Sequence, residues 1–485
     1  MMPSLTTNAL ALPLLLAGLL GGCAQFSADA GMDEVARGVG REAGAEIGRD
    51  VVKITTVEQA ERARGRVAAL LAQPLTADAA VQVALASNRD LQAAYNDLGI
   101  SEAAYIQASL PPNPGISLSR ISGSGVANFE FRLIEDILSL FTLPRRTEIA
   151  RERFALERQK AIETTLRLAA ETRRAHIRAV ATQQQLGLLE QARATADTAV
   201  RLIAKLGEAG GGDQLDQAEL AAFHAELSAR VGQTRLAVRR EREALTRLMG
   251  LWGGDVSFQL PAELPPLPRE PDTVVAAEVE AINRRLDLAT ARHDVAGLAK
   301  SLSLTEATRY VSMLQLAGIA NNEAANPLTN SNADITRAGF QIDLQIPIFD
   351  SGEAHQRAAR ETYMRALNRL AARAVNARSE ARIAYETYRG TYDIARFHRD
   401  RVLPLRQIVS REIALRYNNG VLVSEGQRVD LFKFLADTRT RIAATSVALD
   451  ARRDFHIAAT DLQAALTIGG TSGGGEPVVS STQMQ

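Results

Sequence analysis

Between Pro144 and Gly207 the chain has no further proline and one interior glycine, Gly187, in a stretch rich in Ala, Leu, Arg and Glu. Such a segment reads as a helix of ~60 residues, or ~90 Å at the α-helical rise. No compact domain accommodates a rod of that length, so the fold must be built around extended helices and whatever packs along them. The proline itself suits a helix start. A second rod follows later, where Tyr363, Leu367, Leu370, Ala374, Ala377, Ala381, Ala384 and Tyr388 step alternately by four and three residues. This heptad spacing implies a left-handed supercoil against a partner helix. Leu220, Phe223, Leu227, Val231, Val238, Leu245 and Leu248 carry a similar seam, interrupted by Thr234 and Glu241. Alanines in the seam allow close approach, and the flanking Arg and Glu face water. Pro404 should kink or break the helical stretch that contains it.

The plan occurs twice. Thr76-Ala77-Asp78 opens a helix with Thr76 as N-cap. Asn88-Arg89-Asp90-Leu91 then leads to a strand-like stretch near Ile116, and Asn283-Arg284-Arg285-Leu286 leads to one near Val311. Each copy continues with a second strand-like run, a long helix, a glycine-containing break and a shorter helix. The copies span 75–251 and 272–468, with a Pro-rich extended linker, 252–271, between them and a flexible tail, 469–485, behind. A charged, Ala/Gly-rich linker segment, 23–74, precedes them.

The strands carry the next constraint. Phe340, Ile342, Leu344, Ile346 and Ile348 alternate with Gln341, Asp343 and Gln345. Phe129-Glu130-Phe131-Arg132-Leu133 alternates likewise and Ile116-Ser117-Leu118-Ser119 more weakly, whereas Tyr310 to Ala317 shows no clean alternation. An apolar face opposite a charged one fits a transmembrane barrel strand, and equally a half-buried sheet in a soluble protein. Two strands per copy give four per chain, too few for a closed membrane barrel, which needs at least ~8 because open edges cannot face lipid. A barrel would therefore require several chains.

The N-terminus favours the membrane reading. Residues 9–22 (ALALPLLLAGLLGG) form an apolar run, so 1–22 is expected to be a signal peptide, although residues 1–31 contain no Lys or Arg. Leu20-Gly21-Gly22-Cys23 resembles a lipobox, which makes Cys23, the one cysteine of the chain, the expected lipidation site; Ala24 after it resembles an outer-membrane address. No other apolar run approaches the ~20 residues of a membrane helix, which excludes a helical membrane bundle. With 56 Lys+Arg against 56 Asp+Glu the net charge is zero, so there is no basic footprint and no nucleic-acid partner is expected. His176, His224, His293, His355, His398 and His456 lack ligand spacing, and no phosphate loop or serine elbow is present. The chain reads as neither an enzyme nor a protein with a metal or other cofactor.

Together these residues resemble the TolC-like outer-membrane factor (outer membrane efflux protein) family, in its lipoprotein branch, over roughly residues 74–468. The resemblance is carried by the run Leu75 to Leu85, by Pro112-Asn113-Pro114 before the first strand, by Ile346-Pro347-Ile348-Phe349-Asp350-Ser351-Gly352 after the fourth, and by segments 207–216 and 416–424. It implies a mixed fold: an α-helical barrel plus a transmembrane β-barrel, with 12 strands in a homotrimer and coiled-coil helices forming a periplasmic tube. It also implies an outer-membrane export duct, lipid-anchored through Cys23 and extending into the periplasm. Such a duct serves a tripartite efflux or type I secretion system and is opened at its tip by an adaptor (membrane fusion) protein and an inner-membrane pump. By the same resemblance Gly210, Gly211, Gly212, Asp213, Gly420, Val421, Leu422, Val423 and Ser424 are candidate docking tips. Asp430 and Asp437, with Arg439 and Arg441 as tethers, are gate candidates, although Thr440 stands where the family pattern places an Arg. The competing reading is a periplasmic coiled-coil adaptor or structural lipoprotein, which pairs long helices without duplicated strand pairs.

Overall fold

Most of the helix signals become helices at their caps, and the exceptions are informative. The computed structural model describes residues 26–123, 126–208, 214–274, 276–323, 335–418 and 431–469. The expected leader, Cys23, the tip residues 210–213 and 420–424, Asp430 and the tail beyond 469 lie outside them. The element order is α1 (Met32–Ala43), α2 (Ala45–Arg49), α3 (Val57–Leu71), α4 (Ala77–Ser87), α5 (Arg89–Ser109), β1 (Gly115–Gly123), β2 (Val126–Asp136), α6 (Ile137–Glu208), α7 (Gln214–Met249), α8 (Ala277–Arg284), α9 (Leu286–Ala307), β3 (Met313–Glu323), β4 (Ile335–Gln345), α10 (Glu353–Phe397), α11 (Leu403–Asn418) and α12 (Leu431–Thr467). The chain divides into two compact units. The sheet unit comprises the chain up to Asp33, Tyr95–Ala161 and Leu288–Arg373, and the helical unit comprises Glu34–Ala94, Ile162–Asp287 and the chain from Ala374 onward.

In the sheet unit four antiparallel strands lie in the order β1-β2-β3-β4. β3 starts at Met313, not at Tyr310, and β4 stops at Gln345. Ile346 and Ile348 were expected to continue β4, but Pro347 between them has no N–H for the ladder. α6 begins at Ile137, so Pro144 lies inside the helix and is not its start. Asp136 provides the cap instead. Its Oδ1 accepts from the Ser139 N–H at 3.0 Å and its Oδ2 from the Ser139 hydroxyl at 2.6 Å. Glu152 of α6 accepts from Lys300 Nζ and pairs with His293 Nδ1, both on α9 and both at 2.9 Å. These hydrogen bonds, Lys300 first, hold its carboxyl below the usual range.

In the helical unit Thr76 caps α4 as the sequence predicts, accepting from the Ala79 N–H at 3.1 Å. Residues 80–85 of α4 are all buried, as expected for a helix surrounded by others. The segment after Cys23, expected to be a linker, is helical over α1 to α3. Val35 and Val39 are wholly buried, and Gln463 Nε2 donates to the Glu42 carbonyl at 3.1 Å. The heptad positions Ala381 and Tyr388 are buried in one cluster with Phe455, Ala458 and Leu462 of α12, and Ala377 is wholly buried as well. Leu220, Phe223, Leu227 and Val231 of α7 pack with Leu189 and Ala196 of α6 and Leu435 and Ile442 of α12. Glu241, which interrupts that seam, lies 3.6 Å from Arg178.

Pro404 does not end its helix. A π-helical turn, His398–Val402, precedes it, and the Leu403 N–H reaches back to the His398 carbonyl. The widened turn accommodates a ring that would otherwise clash with the carbonyl four residues earlier. The Pro-rich segment, expected to be extended throughout, opens with a 3₁₀ turn, Gly253–Val256, and its remaining backbone groups are held by partners from the helices. Tyr392 OH donates to the Arg269 carbonyl at 2.6 Å, His456 Nε2 lies 3.0 Å from the Pro265 carbonyl, and Gln184 Oε1 accepts from the Leu264 N–H at 3.2 Å.

The two halves meet their helix junctions in the same way, but not in the register read from the sequence. Asn88 caps the end of α4, and its counterpart at the end of α8 is Arg285, not Asn283. Leu91 and Leu288, three residues beyond each cap, are both 1% exposed. A left-handed glycine then follows each return helix. Gly250 (φ +67°) seats so closely that a Cβ would lie 2.7 Å from the Ser87 carbonyl, and at Gly469 (φ +117°) a Cβ would lie 2.7 Å from Asp287 Oδ2. Only glycine fits either position. Arg285 itself is 3% exposed and donates to Asp287 and Glu380 at 2.7–3.0 Å.

Candidate functional site

The strand register fixes what each face of the sheet presents. Ile116 and Leu118 stand opposite Leu133 and Phe131, which continue across β3 to Gly318 and Ala320 and across β4 to Phe340 and Ala338. Leu316 and Ile342 extend the same face. The opposite face carries Asn128, Glu130, Arg132, Gln315, Asn321, Arg337, Gln341 and Asp343. β3 hides its alternation in the sequence because Gly318 and Ala320 occupy apolar-face positions and Ile319 falls on the polar face.

Exposure is inverted relative to a soluble sheet. Phe129, Phe131, Leu133, Leu316, Phe340, Ile342 and Leu344 are exposed, whereas Glu130, Arg132, Gln341 and Asp343 are half-buried. Phe340 reaches 77%. The sheltered groups pair along the strands: Arg132 Nε donates to Glu130, and Gln341 Nε2 to Asp343 at 2.7 Å. The face is apolar across the middle of the sheet, with Arg120 beside Phe129 and Glu135 beside Leu316, and an exposed apolar belt of this kind suits a nonpolar surrounding. The strands are 9, 11, 11 and 11 residues long, the length of a barrel strand crossing a bilayer. β1 and β4 each leave one edge unpaired within the described sheet. None of the described helices is long and apolar enough to cross a membrane.

At the α11–α12 end of the helical unit the gate candidates within the described residues are Asp437, Arg439 and Arg441. The structure does not join them. Asp437 Oδ2 accepts from the Ser410 hydroxyl of α11 at 2.7 Å. Arg439 donates to Glu226 of α7 at 3.2 Å and lies 5.0 Å from the Phe223 ring centroid. Arg441 is exposed and pairs with no acid among the described residues. Adjacent heptad positions point in different directions, which is why Arg439, two residues from Asp437, serves a different helix. Ser410 and Glu226 went unnoticed as sequence candidates, since neither lies near the acids in the chain. Tyr417 stacks on Phe434 with ring centroids 4.9 Å apart, closing α11 against α12.

His176 and His456 hold the fold. His176 Nε2 lies 2.6 Å from the Leu75 carbonyl, and burial lowers the pKa of His176 and of His456. No group of three or more His, Cys, Asp or Glu side chains among the described residues is arranged to hold a metal ion.

Comparison with solved structures agrees with this architecture. The Campylobacter jejuni CmeC outer membrane channel matches with a TM-score of 0.67 at 16% identity, over 81% of this chain and 86% of that one. The fold is that of the outer-membrane efflux channels. The Neisseria gonorrhoeae MtrE outer membrane channel, in its open state, matches with a TM-score of 0.64 at 17% identity over 81% and 89% of the two chains. CusC, described in terms of folding and transmembrane channel formation, gives 0.66 at 16% identity over 81% and 92%. No family model and no curated protein matches the sequence. The likeness bears out the TolC-like fold expected of the single chain.

Proposed function

We propose that this chain is one subunit of a passive outer-membrane export duct, a homotrimer whose sheets close a 12-stranded barrel and whose coiled-coil helices form a periplasmic tube. The inverted sheet carries the reading: strands of bilayer-crossing length turn their apolar side outward and hold Glu130, Arg132 and Asp343 half-buried. Four strands with two open edges cannot stand alone in lipid, since each unpaired backbone group there costs several kcal/mol. Three copies joined edge to edge remove every edge, and the duplicated hairpins supply the tube wall. Cys23 adds an acyl anchor at the outer membrane. The tips at 210–213 and 420–424 are where an adaptor would dock, and an inner-membrane pump would supply the energy of efflux or type I secretion. Asp437 is the gate candidate that the described part of α12 carries, with Asp430 ahead of it; held by Ser410, it could repel its symmetry mates when the tube narrows.

The test is to extract the protein from washed membranes, determine its mass in detergent and reconstitute it in a planar bilayer. A trimer that conducts ions is the expected result. Recovery in the soluble periplasm, or a monodisperse monomer without conductance, would refute the proposal.

A further inference from the structure

The one tryptophan of the chain, Trp252, is 81% exposed, although tryptophan is usually well covered. It sits at a cleft of about 430 Å³ in the helical unit, between α3, the α4–α5 junction and the Gly250–Gly254 loop. Two arginines line the same cleft, Arg64 from α3 and Arg89 from α5, and no acidic side chain does. The neighbours of Arg64 on its helix are neutralised: Arg62 lies 4.0 Å from Glu58 and Arg66 lies 3.7 Å from Asp50. Arg64 and Arg89 are exposed and have no ionic or hydrogen-bonding partner among the described residues. An open indole face beside two unpaired guanidinium groups is a combination that selects its ligand. The ring stacks on a flat, CH-rich surface, and the guanidinium groups take carboxylates in bidentate pairs.

We infer that this cleft binds peptidoglycan, with Trp252 stacked on an amino-sugar ring and Arg64 and Arg89 on the carboxylates of the stem peptide attached to it. The inference rests on the duct reading, which places the helical unit in the periplasm, where this polymer lies. Charge complementarity selects it over a neutral glycan, and the groove size suits one or two sugar units. Peptidoglycan bound here would tether the tube to the cell wall.

Because Trp252 is the sole tryptophan, its fluorescence reports on this site alone. The full-length protein in detergent is titrated with soluble disaccharide-peptide fragments of peptidoglycan, with neutral chitin oligomers and with lipopolysaccharide core oligosaccharide as separate arms. The expected result is a saturable emission change with the peptidoglycan fragments, at least ten-fold weaker binding in the Arg64→Gln/Arg89→Gln variant, and weaker binding of the other two. An unchanged emission, equal binding of the neutral oligomers, preference for the core oligosaccharide, or an arginine variant that binds like the parent overturns the assignment. Circular dichroism of that variant separates lost contacts from lost folding, and Arg64→Lys keeps the test open if the double variant does not fold. Conductance of the same preparation is recorded in parallel: fragment binding by a non-conducting monomer would remove the duct and leave the glycan site standing.

Discussion

Replacing Phe340 with arginine separates the two meanings of an exposed apolar face. Phe340 occupies the middle of β4, an 11-residue strand running from Ile335 to Gln345. Eleven residues at ~3.4 Å rise give ~37 Å, or ~26 Å when tilted by ~45°, close to the ~25 Å apolar band of an outer-membrane barrel. In the proposed barrel Phe340 would lie near the bilayer midplane, where an arginine on the lipid face costs ~2–4 kcal/mol. At ~3 kcal/mol per chain the folded-to-unfolded ratio falls ~150-fold. On a water-exposed sheet the same change at a residue that is 77% exposed would stay within ~0.5 kcal/mol. The matched control is Gln341→Arg on the sheltered face, where the new cation faces Asp343 and the loss should be under ~1 kcal/mol. Folding into lipid vesicles is followed by urea titration, with the trimer band on unheated gels as a second readout. A Phe340→Arg protein as stable as the parent, or a Gln341→Arg protein more damaged than it, would refute the lipid-facing assignment.

Gly250→Ala forces an L-residue to φ +67° with its Cβ 2.7 Å from the Ser87 carbonyl, so a loss of ~1–3 kcal/mol and a lower Tm are expected. Gly187→Ala, in the middle of α6 with open space around it, should raise Tm slightly, gaining up to ~1 kcal/mol. Burial depresses the pKa of His176, so the unfolded chain takes up its proton first as pH falls. Its contribution is complete above the unfolded value near 6.5 and declines as pH drops below it, and His176→Gln should flatten the pH dependence of urea stability in that range. Arg439→Ala should cost less than ~1 kcal/mol, because both it and Glu226 are partly exposed, whereas Asp437→Ala should alter single-channel opening without changing the trimer mass.

Much of the helical architecture was legible because a heptad is a local pattern. The seam from Tyr363 to Tyr388 could be read residue by residue, and every position in it is buried or half-buried. What the sequence concealed depended on partners distant in the chain. Pro144 looked like a helix start because a proline at that position is usually one; the Asp136–Ser139 cap upstream decided otherwise. β3 looked irregular until its register against β2 and β4 put Leu316, Gly318 and Ala320 in line with apolar neighbours. The junction repeat was misaligned because Asn283 matches Asn88 by name, whereas a buried arginine takes the asparagine's place at the end of α8. At the candidate gate the acids were readable, but Ser410 and Glu226, on other helices, were not.

The two open edges of the sheet have a genetic consequence. An even number of antiparallel strands gives each subunit one β1 edge and one β4 edge running in opposite directions, so in the proposed trimer subunits would join head to tail and only a closed ring would satisfy them all. A copy with one edge blocked, for example by proline in β4, would still offer its other edge to sound subunits and then leave the ring open. Expressed in equal amounts with the parent, it would leave roughly one-eighth of random trimers free of the defect. Such an allele should be dominant, and the severity of its dominance would count the subunits in the ring.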